Sequence, residues 1–313
     1  MIGPGSRADR PLAILGPTAS GKSTTALAVA RRVEGVELVS VDSMQVYRGM
    51  DIGTASPTES ERREVAHHLV DVADPTEEFT VALFQRRART AVAEIRGRGG
   101  VPVLVGGTGL YLRSVIDDLE IPGRYPDVLA GLDTEPDTLE LHRRLADLDP
   151  VAASRTEPTN RRRILRALEV SVGSGRPFSS YGPGLEAYPP SPFVQVALRW
   201  PREELDRRIA ARYEEQMTAG FLEEVRTLSA LGLSRTAAQA LGYRELLAHL
   251  RGECTYDEAL AVAIRRTSRF ARRQLRWFER DPRITWIDAP ADPGDVVATW
   301  DHVRAVPAAG TTR

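Results

Sequence analysis

A single lysine occurs among the 42 cationic residues of this 313-residue chain, and it lies in the run Gly16-Pro17-Thr18-Ala19-Ser20-Gly21-Lys22-Ser23. The run fits G-x-x-x-x-G-K-[ST], a phosphate loop whose backbone N–H groups wrap phosphate oxygens, whose lysine adds charge and whose hydroxyl can ligate Mg²⁺. A compact ammonium reaches into such a cradle, a task for which the wide planar guanidinium used everywhere else in this chain is poorly shaped. The flanks agree: Pro11 to Leu15 reads as a buried strand entering the loop, and Ser23 to Val33 as a helix whose N-terminus faces the bound anion.

Three further stretches carry candidate chemistry. VSVDSMQVYRGMDIGTA puts Asp42, Ser43 and Gln45 at a strand end, where open α/β sheets hold their ligands. An acid there can accept a proton, hold a water on Mg²⁺ or cap the following turn; the phosphate loop on the same edge favours a catalytic or substrate-holding role. VLVGGTGLY sets Gly106, Gly107 and Thr108 where an ordinary P-loop ATPase ends its Walker B strand in an acid. The glycines admit either the close approach of a ligand or neighbouring backbone, or a tight strand-to-helix turn, and Thr108 offers a hydroxyl. In LDRRIAARYEEQMTAGFLEEV, Arg208 and Arg212 stand four apart on one helical face, either lining the anion site or pairing with Glu204 and Glu215.

The elements that must position these residues follow from hydrophobic pattern. Short β-rich runs recur at LAIL near 12, VELVSV near 36, HLVDV near 68, VPVLVGG near 101, VQVALRW near 194 and ITWID near 284. They alternate with helical patterns such as 80–98, which predicts an α/β fold: a parallel sheet covered on both faces. The alternation lapses over 118–193, where helical pieces 127–147 and 160–173 lie between Pro/Gly segments at 121 and 175. The expected organisation is a P-loop core over 10–117, a helical insertion over 118–193 and the rest of the core over 194–304.

The helix expected over 258–280 collects Arg265, Arg266, Arg269, Arg272, Arg273, Arg276 and Arg280 within an arc of about 120°. Ile264, Phe270, Ala271, Leu275, Trp277 and Phe278 fall on the other side, so one face is core and the other a basic stripe suited to a phosphate backbone. Arg161, Arg162, Arg163 and Arg166 open a second basic helix in the insertion, and the two elements would suit a clamp around nucleic acid.

Composition removes several classes. One cysteine, Cys254, excludes an internal disulfide and any multi-cysteine zinc site, and points to reducing cytoplasm. The histidines, His67 and His68 included, lack metal-ligand spacing and read as structural or surface residues. No run approaches the roughly 18 apolar residues of a membrane span, and the start lacks a signal-peptide layout, so a soluble, unexported protein is expected. Residues 1–9 and 305–313 are small and polar enough to fray.

GPTASGKS, VSVDSMQVYRGMDIGTA, HHLVDVADP, VGGTGLYL, RRRILRALEV, RRIAARYEEQMTAGFLEEV, ALGYREL and RRTSRFARRQLRWF, in this order over residues 11–288, resemble the bacterial tRNA dimethylallyltransferase (tRNA isopentenyltransferase) family. The resemblance implies transfer of a dimethylallyl group from dimethylallyl diphosphate to N6 of adenosine 37, beside the anticodon of tRNAs that read codons starting with U. The phosphate loop, Gly16 to Ser23, would then hold a diphosphate leaving group, which accounts for a P-loop without a Walker B acid.

By the same resemblance, Asp42 would take a proton from, or hydrogen-bond to, the attacking adenine amine. Thr18, Lys22 and Arg212 would bind and neutralise the diphosphate, Ser23 would help hold Mg²⁺, and Thr108 would sit near the reacting centre. The base would be flipped from the anticodon loop, with Asp42, Ser43, Met44, Gln45, Arg162, Arg163, Arg166, Gly242, Tyr243 and Arg244 contacting the tRNA and the insertion gripping its anticodon stem. The implied protein is a cytoplasmic monomer. The lone cysteine forbids the zinc finger that eukaryotic relatives often carry, so the bacterial form is expected. Two other readings share the phosphate loop: an adenylate isopentenyltransferase acting on free AMP-type nucleotides, and a small-molecule P-loop kinase.

Overall fold

The computed structural model describes residues 9–305, and the tails expected to fray lie almost wholly outside that range. Six strands form one sheet: β1 (Leu12–Leu15), β2 (Val36–Val41), β3 (His67–His68), β4 (Val101–Gly106), β5 (Val194–Arg199) and β6 (Ile284–Asp288). They lie in the order β3-β2-β4-β1-β5-β6 and every pair is parallel. All six fall where the apolar runs place them, in the expected α/β architecture. The run near 68 contributes only two paired residues, because Leu69 and Asp71 adopt φ values of 63° and 55° and turn the chain out of the ladder.

The helices are α1 (Lys22–Arg32), α2 (Glu59–Glu64), α3 (Val81–Gly97), α4 (Gly109–Ile116), α5 (Pro126–Asp133), α6 (Thr138–Leu148), α7 (Pro150–Ser154), α8 (Arg161–Ser174), α9 (Arg202–Thr218), α10 (Phe221–Ser229), α11 (Arg235–Ala238), α12 (Tyr243–Leu250), α13 (Tyr256–Phe278) and α14 (Pro293–Ala305). The chain divides into two compact units, one running up to Ile116 and resuming at Pro190, the other Asp117–Pro189.

In the first unit, alternate residues of each inner strand enter different cores. Ala13, Leu15, Val39, Val41, Leu104 and Ala197 pack with Phe84 of α3, Ile209 of α9 and Phe278 of α13. Leu12, Ile14, Leu38, Val103, Val105, Val194 and Val196 pack on the opposite face with Ala26 and Val29 of α1 and Val296 and Trp300 of α14. Both faces are therefore dry, which is why these strands read as continuous apolar runs. Helix α14 has a weak apolar period and lies in the stretch expected to complete the core; Trp300, fully buried, anchors it and donates its indole N–H to Arg10 O at 3.0 Å.

The second unit has its own small core, in which Leu141, Leu145, Ile164 and Leu168 are fully buried between α6 and α8. The single helical piece expected over 127–147 is two helices. Pro136 cannot continue a helix, and the Asp137 side chain caps α6 by accepting from Leu139 N at 2.8 Å. No helix of the described residues is long and apolar enough to cross a membrane.

Strand order decides what the site contains. Because β4 lies between β2 and β1, Gly106 is in register with Val41 on one side and Leu15 on the other. The residues following β2, β4 and β1, which are Asp42, Gly107-Thr108 and Gly16 onward, therefore emerge side by side at one sheet edge. In doubly wound sheets that edge, at the switch in strand order, is where ligands bind.

Candidate active site

The phosphate loop leaves β1 through Gly16 at φ 153° and enters α1 through Gly21 at φ 86°. A Cβ on Gly16 would stand 2.7 Å from Ser20 Oγ and 3.1 Å from Leu198 O, so both backbone conformation and space demand glycine there. Between them Ala19 takes φ 62°, a left-handed conformation that an L-residue holds only when its surroundings enforce it.

The enforcing contacts come from far along the chain. Arg208 Nε donates to Ala19 O at 2.9 Å while its guanidinium stacks on Trp200, whose own Nε1 donates to Ser20 O at 3.0 Å. Arg212 Nη1 donates to Thr18 Oγ1 at 3.0 Å, and Thr18 N donates to Gln274 Oε1 at 2.9 Å. Both arginines that stand four apart on α9 thus reach the phosphate loop, and Glu204 pairs with Arg207 instead. Gln274 escaped sequence analysis, although an amide among Ala271, Leu275 and Phe278 on the apolar face of α13 was a usable signal. Its Nε2 donates to Gly107 O at 2.9 Å, so one side chain ties the loop after β1 to the loop after β4.

Lys22 lies across the loop, with Nζ donating to Pro17 O at 3.3 Å. Burial pulls its amine from 10.5 down to about 8; the Asp42 carboxylate opposes that shift and the Arg212 guanidinium adds to it. Burial also lowers Arg212 from its ordinary value. Two cations close enough to perturb each other, in surroundings that penalise charge, form a site that an incoming polyanion would relieve.

Asp42 both caps and remains open for chemistry. Its Oδ1 accepts from Met44 N at 2.8 Å and Gln45 N at 3.4 Å, while Oδ2 accepts nothing from the described residues. Thr108 Oγ1 accepts from Ser43 N at 3.4 Å, drawing the end of β4 against the Asp42 turn. Gln45 donates from Nε2 to Ala55 O at 3.0 Å and accepts from Ser40 Oγ at 2.8 Å.

The two glycines that end β4 serve close backbone approach. A Cβ on Gly106 would fall on the Val41 carbonyl, and one on Gly107 would stand 2.9 Å from Gly16 O and collide with Gln274. Gly106→Ala should therefore push β2 and Asp42 away from β4, costing about 1–3 kcal/mol by overpacking. Urea unfolding of the variant checks this, and an unchanged midpoint would remove the steric argument.

Other expected site residues divide by exposure. Arg162 and Arg163 are exposed on α8 with no ion pair among the described residues, whereas Arg166 is committed to Glu169 Oε2 at 2.8 Å and Pro122 O at 2.9 Å. Gly242 and Tyr243 lie inside the protein. Both are buried, Tyr243 completely, and its phenol donates to Glu224 at 2.6 Å, so of that trio only Arg244 presents a side chain to solvent.

Along α13, Arg265, Arg269, Arg273 and Arg276 are exposed, as is Arg280 just past the end of the helix, and none of the five has an acidic partner among the described residues; Arg266 pairs with Glu245 and Arg272 with Asp206. The helix begins at Tyr256, two residues before the expected start, because Thr255 and Glu258 form a capping box. Ser23 is exposed in the first turn of α1. The adjacent histidines are structural: His68 bonds Glu37 and His67 bonds Val65 O, both at 2.7 Å.

Comparison with known proteins places the chain in a family. The IPP transferase family model matches residues 45–281, and an isopentenyl transferase model matches 11–73. The chain is 50% identical over 297 residues to the tRNA dimethylallyltransferase of Kineococcus radiotolerans, covering 91% of this chain and 93% of the relative. It is 48% identical over 296 residues to that of Thermobifida fusca, covering 91% of each.

Among solved structures, the tRNA isopentenylpyrophosphate transferase of Bacillus halodurans superposes with TM-score 0.68 at 35% identity, over 94% of this chain and 97% of that one. A eukaryotic dimethylallyltransferase acting on tRNA shares the fold, with TM-score 0.79 at 24% identity, over 97% of this chain and 81% of that one. Similarity at this level along nine-tenths of its length makes the chain a member of the IPP transferase family.

Proposed function

We propose that this protein is a tRNA dimethylallyltransferase that moves a dimethylallyl group from dimethylallyl diphosphate to N6 of adenosine 37, in tRNAs reading codons that start with U. The observation that carries the reading is Arg212 laid on Thr18 beside Lys22, facing Asp42, with glycines in place of a carboxylate at the end of β4. Two cations suit a diphosphate that departs, and an unshared carboxylate oxygen suits an amine that loses a proton.

In the reaction, the N6 lone pair attacks the allylic carbon, the bond from that carbon to the diphosphate oxygen breaks, and the N6 proton passes to Asp42. The amine is a poor nucleophile because its lone pair is delocalised into the ring, so a positioned base matters. Lys22, Arg212 and Thr18 receive the negative charge that develops on the leaving group. An adenine reaches this edge only when flipped out, which is cheap in a single-stranded loop.

The chain's residues fit a magnesium ion of the kind that travels with a phosphate ligand. Among the described residues no three His, Cys, Asp or Glu side chains cluster, so no protein cage exists, but Ser23 exposes a hydroxyl at the start of α1. Mg²⁺ commonly takes one or two protein ligands, several waters and substrate phosphate oxygens. Ser23 would hold it, and it would supply further neutralisation of the diphosphate.

The acceptor is macromolecular because four exposed arginines without acidic partners line α13, a fifth, Arg280, follows its end, and two more stand on α8, a display that a free nucleotide does not need. Reversing Arg265, Arg269 and Arg273 to Glu together should weaken tRNA binding and lower the salt slope by roughly one unit per lost phosphate contact. Filter binding across a salt series measures it. The protein is read as a cytoplasmic monomer. The decisive experiment supplies labelled dimethylallyl diphosphate with an anticodon stem-loop or with AMP; preference for AMP would overturn this function, and ATP consumption with an inert prenyl donor would make it a kinase.

A further inference from the structure

A carboxylate on α10, Glu224, to which the sequence pattern gave no role, holds the piece of chain on which both sides of the site depend. Glu224 Oε2 accepts from Asp51 N at 2.9 Å and Ile52 N at 2.7 Å, and its Oε1 accepts from Gly53 N at 3.1 Å and from the Tyr243 phenol at 2.6 Å. Three successive backbone amides converging on one anion form a nest, and hydrogen bonds to a charged acceptor are the strong kind. The seat is tight: a Cβ on Gly53 would collide with the Phe221 and Tyr243 rings, which themselves pack edge to face at 4.9 Å.

The carbonyls of the same segment point to the site. Gly53 O accepts from Arg212 Nη2 at 3.3 Å and Gln216 Nε2 at 3.0 Å, and Ile52 O accepts from Gln216 Nε2 at 2.6 Å. Two residues on, Ala55 O accepts from Gln45 Nε2. Arg212 is the cation seated on Thr18 of the phosphate loop, and Gln45 closes the turn capped by Asp42. Segment 51–55 is thus a strut with one end on the leaving-group cation and the other on the acceptor turn.

We propose that Glu224 is a positioning residue for the transfer reaction: by binding the amides of Asp51, Ile52 and Gly53 it fixes the strut that aligns Arg212 with the diphosphate and the Asp42 turn with the attacking amine. This role rests on the function proposed above. It also makes a sharp chemical demand, because all four partners of the carboxylate are donors. The NH₂ of a glutamine at this position would face a donor whichever way it turned, so Glu224→Gln, though equal in size, cannot satisfy the nest.

The test compares Glu224→Gln with Val225→Ala, which trims a fully buried side chain on the same helix and serves as a control for loss of stability. Both are assayed with dimethylallyl diphosphate and an anticodon stem-loop, with rates corrected for folded enzyme by thermal denaturation. Glu224→Gln should raise KM for the diphosphate and lower kcat, each by roughly tenfold, while Val225→Ala keeps wild-type KM. Equal KM values in the two variants, with only folded enzyme lost, would overturn the proposal. If Glu224→Gln does not fold, Glu224→Asp, which keeps the charge but shortens the reach, is held to the same KM criterion. Wild-type enzyme without transfer activity would count against the proposed function instead.

Discussion

Asp42→Asn is expected to lower the transfer rate by about 10²–10⁴-fold, the span contributed by a positioned general base, while tRNA binding stays near wild type. Asparagine is the informative substitution because of the geometry of the turn. Asp42 uses Oδ1 to accept from the amides of Met44 and Gln45, and an asparagine carbonyl oxygen can do the same. What asparagine lacks is the second, unshared oxygen able to take a proton. Asp42→Ala removes both functions, and its extra loss of about 1 kcal/mol per abandoned hydrogen bond would appear in unfolding experiments rather than in chemistry. Single-turnover transfer to a stem-loop, with binding measured separately, distinguishes the two. A fully active Asn variant would remove Asp42 from the chemical step.

Lys22→Met should be comparably severe, through the leaving group. Loss of a cation aimed at developing negative charge costs about 10²–10³-fold in kcat, and here the donor's affinity falls too because the same ammonium meets the ground-state diphosphate. Lys22→Arg should rescue little, since a planar fork replaces a compact charge in a loop already occupied by Arg208 and Arg212.

The pH profile supplies a signature. Burial brings the free-enzyme amine to about 8, so the protonated form that attracts a diphosphate is complete well below that value and is lost as pH rises through it. The kcat/KM for the prenyl donor should fall on the alkaline side of about 8 in the wild type, and Lys22→Met should lack that limb. A bound diphosphate raises the amine's pKa again, so the limb should be weaker in kcat than in kcat/KM.

Local pattern specified a large share of this molecule. The run Gly16–Ser23 needs glycines at its ends and lysine at the start of a helix whatever surrounds it, and six apolar runs of strand length between helical stretches can only make a sheet buried on both faces. Asp42 and Thr108 were legible as strand-end residues for the same reason, because a strand's end is marked locally. So was the basic face of α13, whose period of 3.6 separates charge from core within one helix.

Tertiary structure decided which of these pieces meet and what holds them. Placing β4 between β2 and β1 brings residues 16, 42 and 107 together, and strand order depends on pairing across the chain that no local period records. Gln274 on the phosphate loop and Glu224 under the Asp51–Gly53 segment act over sequence separations of 256 and more than 170 residues. Single polar side chains bonding at such range leave no repeat in the sequence. Tyr243 shows the converse: its motif marked it for contact with a macromolecule, but packing against Phe221 buried it, because an aromatic ring beside a tight glycine turn gains more from the core than from water. The sequence by itself thus determined the phosphate loop, the strands and the charges, whose causes lie within a few residues. Only the folded chain determined the braces that aim them, since those are set by which distant polar groups must be satisfied once water is excluded.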